Sequence, residues 1–213
     1  MNDSIEFRWI REILAIAQSG LAHSQDPFDV ERFRRLATIA AEMLWSDHKF
    51  ERADLVSALL RDSGYATPKV EVRGAAFDNH GRILLVREKM DRDRWTLPGG
   101  WADVNLSLRE NIEKEIFEEA RVMVRSYKVA AVLDRRFHAH PPYPYHIYKV
   151  FMLCELVEQY AFNSFESTEI SDLGYFNQLE IEDLDLSIQR VTRNQIDKMF
   201  EHYREPKRPT EYD

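Results

Sequence analysis

The chain has 213 residues, 44% of them hydrophobic and 31% charged, with a net charge of −8. That balance predicts an ordinary soluble globular chain of one or two small domains, and the acidic excess argues against general nucleic-acid binding. A lone cysteine, Cys154, excludes a disulfide framework; it lies in the apolar run from Val150 and is expected in the core. No run of about eighteen apolar residues could span a bilayer, and the N-terminus lacks the basic flank and apolar centre of a secretory leader. The expectation is a cytoplasmic protein with no membrane partner.

The first sixty-odd residues carry helical spacing. Trp9, Ile13, Ile16 and Ala17 form one apolar set, with Gly20 as the expected end of that helix. Asp26, Pro27 and Asp29 open a second helix with apolar positions at Phe33, Leu36, Ala37, Ile39, Ala40, Met43 and Leu44. A third helical stretch runs from about Ala53 to Asp62 and closes at Ser63-Gly64. These residues form a small all-helical domain, 1–66, whose eleven acidic and eight basic residues speak against a DNA-binding arm.

After Pro68 the pattern changes to strands. Val70, Val72 and Gly74 to Phe77, the turn Asp78-Asn79-His80-Gly81, and Ile83 to Val86 predict a hairpin. Strands are expected at Val122 to Arg135 and His146 to Val157, a short one at Gly174 to Phe176, and a closing helix from Thr192 to Tyr203.

Between the hairpin and those strands lies the most informative segment, Trp95-Thr96-Leu97-Pro98-Gly99-Gly100-Trp101, followed by Lys114-Glu115-Ile116-Phe117-Glu118-Glu119. Ser107 and Glu110 form a capping box at the start of a helix whose apolar side is Leu108, Ile112, Ile116 and Ala120. Glu115 lies three residues before Glu118 and four before Glu119, so the carboxylates share a helix face. Like charges at that spacing repel by roughly 0.2–0.5 kcal/mol per pair unless a cation neutralises them. Magnesium suits such a site, because it takes oxygen ligands from one or two carboxylates together with substrate phosphates. The Pro98-Gly99-Gly100 turn lets the backbone approach an ion, which makes the Gly99 carbonyl a candidate ligand.

This turn and helix resemble the signature of the Nudix hydrolases: Gly, five residues, Glu, seven residues, Arg-Glu, an aliphatic residue, any residue, Glu-Glu, any residue, Gly. Gly100 aligns with the first glycine, and Glu115, Glu118 and Glu119 with the helix glutamates. Leu106 stands where the family has its first Glu, Lys114 replaces Arg, and Arg121 replaces the closing Gly. Leu106 removes an outer-shell carboxylate, Lys114 loses the planar fork of arginine, and Arg121 suggests a helix exit that avoids left-handed backbone. The resemblance covers about Lys69 to Tyr203 and implies an α/β fold, an α/β/α sandwich over 67–213 preceded by the helical domain. It further implies magnesium, with manganese as a substitute, held by Gly99, Glu115, Glu118 and Glu119.

The helical module before such a domain resembles that of Nudix enzymes that hydrolyse nucleoside diphosphates linked to another group, of the CDP-choline and ADP-ribose type. A small-molecule nucleotide substrate and a homodimer follow from the resemblance. Candidates for the proton-accepting carboxylate are Glu118 and Glu169, the latter in a Glu166-Ser167-Thr168-Glu169 run that resembles the family's additional acidic loop, while Glu115 is counted with the catalytic residues as a metal ligand. Candidates for substrate binding are Arg73 and Arg87 on the hairpin, and Arg135, His138, His140 and Tyr148 in a segment dense in cations and aromatics. Alternative readings are a non-catalytic nucleotide sensor, favoured by Leu106 and Arg121, and removal of pyrophosphate from the 5′ end of RNA.

Overall fold

The computed structural model describes residues 4–46, 63–159 and 168–213. The expected third helix, Ala53 to Asp62, and the candidate Glu166 lie outside the described residues. The chain divides into two compact units. One comprises Val70–Pro141 and Ile147–Asp213; the other comprises the residues up to Lys69 with Pro142–His146.

In the N-terminal unit, α1 spans Ile5–His23 and α2 spans Pro27–Ser46. Ser4 caps α1 by accepting the Phe7 N–H, and one carboxylate oxygen of Asp26 accepts the N–H groups of Phe28 and Asp29 at the start of α2. The buried stripe of α1 is Phe7, Ile10, Leu14 and Ala17, packed against Ala37, Ala40 and Leu44. Trp9 and Ile16, expected in that stripe, are 55% and 56% exposed. Ala17 is in the core and Ile13 packs against it, as expected, whereas Trp9 and Ile16 fall on a second apolar face that the core does not take. Gly20 does not end α1, which continues for another three residues. A Cβ at Gly20 would lie 2.5 Å from the Phe33 ring, so the glycine serves close helix packing.

The second unit is built on a seven-stranded sheet. Strands β1 (Lys69–Phe77) and β2 (Ile83–Glu88) form the expected hairpin. Strand β3 (Arg94–Thr96) pairs with β2, as does β6 (Ile170–Phe176). The long antiparallel pair β4 (Val122–Asp134) and β5 (Ile147–Gln159) follows, with β7 (Glu211–Tyr212) added in parallel on β4. Neither β3 nor β7 was expected, since both are too short to show periodicity.

Two helices cover the sheet. Along β2, Ile83 and Leu85 point to one core and Leu84 and Val86 to the other, as strand alternation requires. The first core includes Ile196, Met199 and Phe200 of α4 (Arg193–Arg204); the second includes Ile112, Ile116 and Ala120 of α3 (Leu108–Ala120). The result is the α/β/α sandwich expected from the sequence. Cys154 is buried in the second core, where desolvation pushes its thiol up to about 12.

The capping box at Ser107 and Glu110 is formed. The exit of α3 corrects one expectation. Arg121 adopts left-handed backbone at φ 55°, and its N–H donates to the Phe117 carbonyl. Left-handed geometry costs a non-glycine residue about 1 kcal/mol, because its Cβ crowds the backbone carbonyl; Arg121 adopts it where the chain passes directly from α3 into β4 at Val122. The Arg121 guanidinium lies 5.1 Å from the centre of the Phe117 ring, a contact that offsets part of the cost.

His140 is buried between Ile188 and Gln195 of the second unit. Its Nδ1 lies 2.7 Å from the Ile188 carbonyl and its Nε2 lies 3.0 Å from the Gln195 amide nitrogen. Gln195 cannot turn its oxygen toward the ring, because that oxygen accepts the Thr192 N–H in the α4 capping box. The neutral tautomer with hydrogen on Nδ1 is therefore required, and burial holds the pKa down to about 3 from 6.5. The unfolded chain binds the proton more readily, so stability falls as pH drops from 6.5 toward 3, by about 1.4 kcal/mol per pH unit from this group. Urea unfolding across that range is expected to show a shallower pH slope in His140→Gln than in the parent.

Candidate active site

The site is organised from β1 outward. Glu71 and Arg73 are two residues apart and share one side of the strand. The Arg73 side chain is 1% exposed; its Nε donates to Glu71 at 2.7 Å and its Nη1 to the Leu97 carbonyl at 2.8 Å. The other Glu71 oxygen accepts from Lys149 Nζ at 2.6 Å, from β5. Burial alone would raise the Glu71 carboxyl, but Arg73 and Lys149 outweigh it and hold the pKa at about 2. Burial pushes the Lys149 ammonium down to about 7, against the pull of Glu71.

The Gly-Gly turn is stitched to the same strand. Gly74 N–H donates to the Pro98 carbonyl and Val72 N–H to the Gly100 carbonyl, each at 2.9 Å. Gly99 has φ +139°, and a Cβ there would lie 2.1 Å from the Val72 carbonyl oxygen, so no other residue fits. The Gly99 N–H donates to Glu119 at 2.9 Å, tying the turn to α3. A Cβ on Gly100 would meet the Glu115 carboxylate at 3.0 Å. Gly99 therefore lets the turn close on β1, and Gly100 leaves room for the Glu115 carboxylate.

These residues line a cleft of about 190 Å³. Gly99, Glu115, Glu119, Glu169 and Arg73 all reach it, so the structure brings together five of the residues singled out from the sequence. Burial pushes the Glu119 carboxyl up to about 8, although Arg73 and the Gly99 N–H oppose the rise. Glu115 is raised as well, first by burial. Among the described residues no three His, Cys, Asp or Glu side chains are gathered as a ready metal cluster. The donor set nevertheless suits a hard cation: two partly desolvated carboxylates, whose charged forms need a counter-charge, beside a backbone turn with glycine clearance. Glu115 and Glu119 with Gly99 would hold it, with water and substrate oxygens supplying the remaining ligands.

The other expected residues lie elsewhere. Glu118 is exposed and pairs with Lys114 at 3.2 Å, and it does not line the cleft. Lys114 also reaches Asp103 at 3.0 Å, so it is committed to two carboxylates without the fork of an arginine. Arg87 donates to the Asp93 carbonyl at 2.6 Å and sits over the Trp95 ring. Arg135 is buried and donates to the Pro141 carbonyl and to Gln189. His138 faces Asp213 at 2.9 Å, and Tyr148 borders a separate hollow with Phe137 and Tyr212. Arg135, His138 and His140 are occupied in holding the segment near Gln189 and the chain end, which sequence alone could not reveal.

The sequence reading missed Glu71, Glu88, Met90, Trp101 and Arg190, all of which line the cleft. A signal existed for Glu71: charged residues alternating within an apolar strand, Val70-Glu71-Val72-Arg73, are costly to bury unless they pair. Arg190 stands in a polar connection without periodicity and gave no signal.

Comparison with known proteins agrees with this geometry. Residues 67–197 match the NUDIX domain family, and residues 7–58 match the family described as "UDP-X-like, N-terminal oligomerisation domain". The chain belongs to the Nudix family and is a Nudix hydrolase. It is 37% identical over 213 residues to the Bacillus subtilis (strain 168) protein provisionally named ADP-ribose pyrophosphatase YjhB, covering 98% of this chain and 99% of that one. Among solved structures, an ADP-ribose pyrophosphatase from Streptococcus suis 89-1591 is 34% identical with TM-score 0.60, over 69% of this chain and 100% of its own. A UDP-X diphosphatase is 31% identical with TM-score 0.61 and full coverage of both chains.

Gly99→Ala is expected to force the turn away from β1 and to lower hydrolytic turnover by about 100-fold or more, since a displacement near 1 Å at a site can cost that much. Steady-state kinetics alongside thermal unfolding check it.

Proposed function

We propose that this protein hydrolyses the phosphoanhydride of a nucleoside diphosphate linked to a second group, of the ADP-ribose or UDP-X type, giving a nucleoside monophosphate and a phosphorylated product. The observation that carries the reading is the pair of helix carboxylates, buried Glu119 and half-buried Glu115, fitted against the Gly99-Gly100 turn inside the cleft. The names of the relatives support ADP-ribose or a UDP-linked compound as substrate, and CDP-choline belongs in the same chemical class. A divalent cation, magnesium or manganese, when bound supplies neutralisation of the diphosphate and activation of water.

The chain's own groups do the rest. The Gly99 N–H holds the Glu119 carboxylate in place, and Arg73 opposes loss of its charge. Of the two carboxylates considered as proton acceptor, Glu169 lines the cleft and Glu118 does not. We assign the role to Glu169, which lies exposed at the cleft wall, while Glu115 and Glu119 would hold the cation. Removal of such a base lowers turnover by about 10²–10⁴-fold.

The N-terminal helices support a homodimer. Ile5, Trp9 and Ile16 fall on one exposed face of α1, and the match of residues 7–58 is to a domain described by oligomerisation. No described helix is long and apolar enough to cross a membrane; the lone cysteine, buried as a free thiol, suits a reducing cytoplasm as the enzyme's location.

Incubation with ADP-ribose, UDP-sugars, CDP-choline, nucleoside triphosphates and 5′-triphosphate RNA, with magnesium and with chelator, tests the reading. Metal-dependent release of nucleoside monophosphate from a linked diphosphate is expected, with Glu119→Gln slower by orders of magnitude. Ligand binding without turnover on every member would leave a sensor instead. Sedimentation of Trp9→Asp as a monomer, against a dimeric parent, checks the assembly.

A further inference from the structure

The cleft has a large excess of acid. Glu71, Glu88, Glu115, Glu119 and Glu169 line it, and its only cations among the described lining residues are Arg73 and Arg190. Arg73 borders the cleft but its side chain is 1% exposed, and its Nε and Nη1 already donate to Glu71 and to the Leu97 carbonyl. The Arg190 side chain is 37% exposed.

Arg190 is held unusually well for a half-exposed arginine in a connecting segment. Its Nε donates to Glu88 at 3.1 Å, and its backbone carbonyl accepts from the buried Lys149 ammonium at 2.8 Å. Its N–H closes a turn on the Ser187 carbonyl at 2.8 Å, and the Ser187 N–H in turn donates to the Trp95 carbonyl at 2.9 Å. The side chain thus ends an alternating series of charges: Lys149, Glu71, Arg73, Glu88 and Arg190, with successive separations of 2.6, 2.7, 3.7 and 3.1 Å. A guanidinium carries five N–H donors, so engagement of Nε by Glu88 orients the group and leaves most of its donor capacity for an anion.

We propose that Arg190 is a specificity-determining residue that binds the second phosphate of the substrate, the one not held at Glu115 and Glu119. The proposal rests on the reading of this chain as a hydrolase of linked diphosphates. Glu115 and Glu119 would hold a cation that serves one phosphate, while an acidic cleft repels the other unless a protein cation meets it. Arg190 supplies that cation at little ordering cost, because its backbone and Nε are already fixed. The enzyme then favours a diphosphate over a monophosphate, with the discrimination residing in this one side chain.

Calorimetric titration of ADP, AMP, UDP and UMP with magnesium, into the parent, Arg190→Gln and Arg190→Lys, tests this. For at least one base the parent is expected to bind the diphosphate more tightly than the monophosphate by about tenfold or more, as charge-assisted hydrogen bonds allow. Arg190→Gln should close that gap while leaving monophosphate affinity and the unfolding temperature near those of the parent, and Arg190→Lys should fall between. The inference is overturned if the parent shows no diphosphate preference, or if Arg190→Gln keeps the preference, or weakens both ligands equally. ADP-ribose and UDP-sugar hydrolysis by the same parent preparation is scored separately. Lack of turnover with the diphosphate preference intact counts against the enzymatic reading alone, and turnover with the preference unmoved by Arg190→Gln counts against the arginine alone.

Discussion

A guanidinium that is 1% exposed cannot shed its charge, so the burial of Arg73 is tolerable only because Glu71 and the Leu97 carbonyl accept hydrogen bonds from its N–H groups at 2.7 and 2.8 Å. Desolvating an ion costs several kcal/mol, and here Glu71 and Lys149 are desolvated as well. The three groups are mutually dependent: none is acceptable in the interior without the others. The network also has a direction. It begins at β5 in the middle of the sheet, crosses β1, and reaches the carbonyl of the residue that precedes the Pro98-Gly99-Gly100 turn.

That connection explains how a loop acquires the precision of a strand. Arg73 holds Leu97 from the side chain, while the amides of Val72 and Gly74 hold Gly100 and Pro98 from the backbone. On the opposite side, α3 is fixed by Ile112 and Ile116 in the core, and its Glu119 accepts the Gly99 N–H. Turn and helix are therefore referred to the same strand, and the carboxylates face a cleft whose shape is set before any ligand arrives. Changes at Leu106, Lys114 and Arg121 leave this frame standing, because none of the three takes part in the network.

Much of the fold was legible because its elements are long and their periods distinct. The hairpin, the paired strands β4 and β5, and the capped helices α3 and α4 all follow from alternation or helical spacing with chemical punctuation at their ends. The exceptions have physical causes. Short strands such as β3 carry too few residues to show a period. On α1 the apolar residues Trp9 and Ile16 imitate a core stripe while the core takes Phe7, Ile10, Leu14 and Ala17. At Arg121 a tight connection to β4 imposed left-handed backbone on a residue that disfavours it. In the candidate site, Gly99, Glu115 and Glu119 were readable because they sit in one local motif. Glu71, Glu88 and Arg190 come from separate segments and meet only through the fold. The opposite error arose at Arg135, His138 and His140, where residues chemically suited to phosphate are used to hold neighbouring backbone and the chain end.

The cleft depends on these buried charges, and equilibrium unfolding of Glu71→Gln in urea measures that dependence most directly. Removing this one negative charge leaves Arg73 and Lys149 facing each other across a neutral amide, so a loss of about 3–5 kcal/mol relative to the parent is predicted. A Glu71→Gln protein that unfolds at the same urea concentration as its parent, with the same slope, would contradict the claim that this network holds the turn in place.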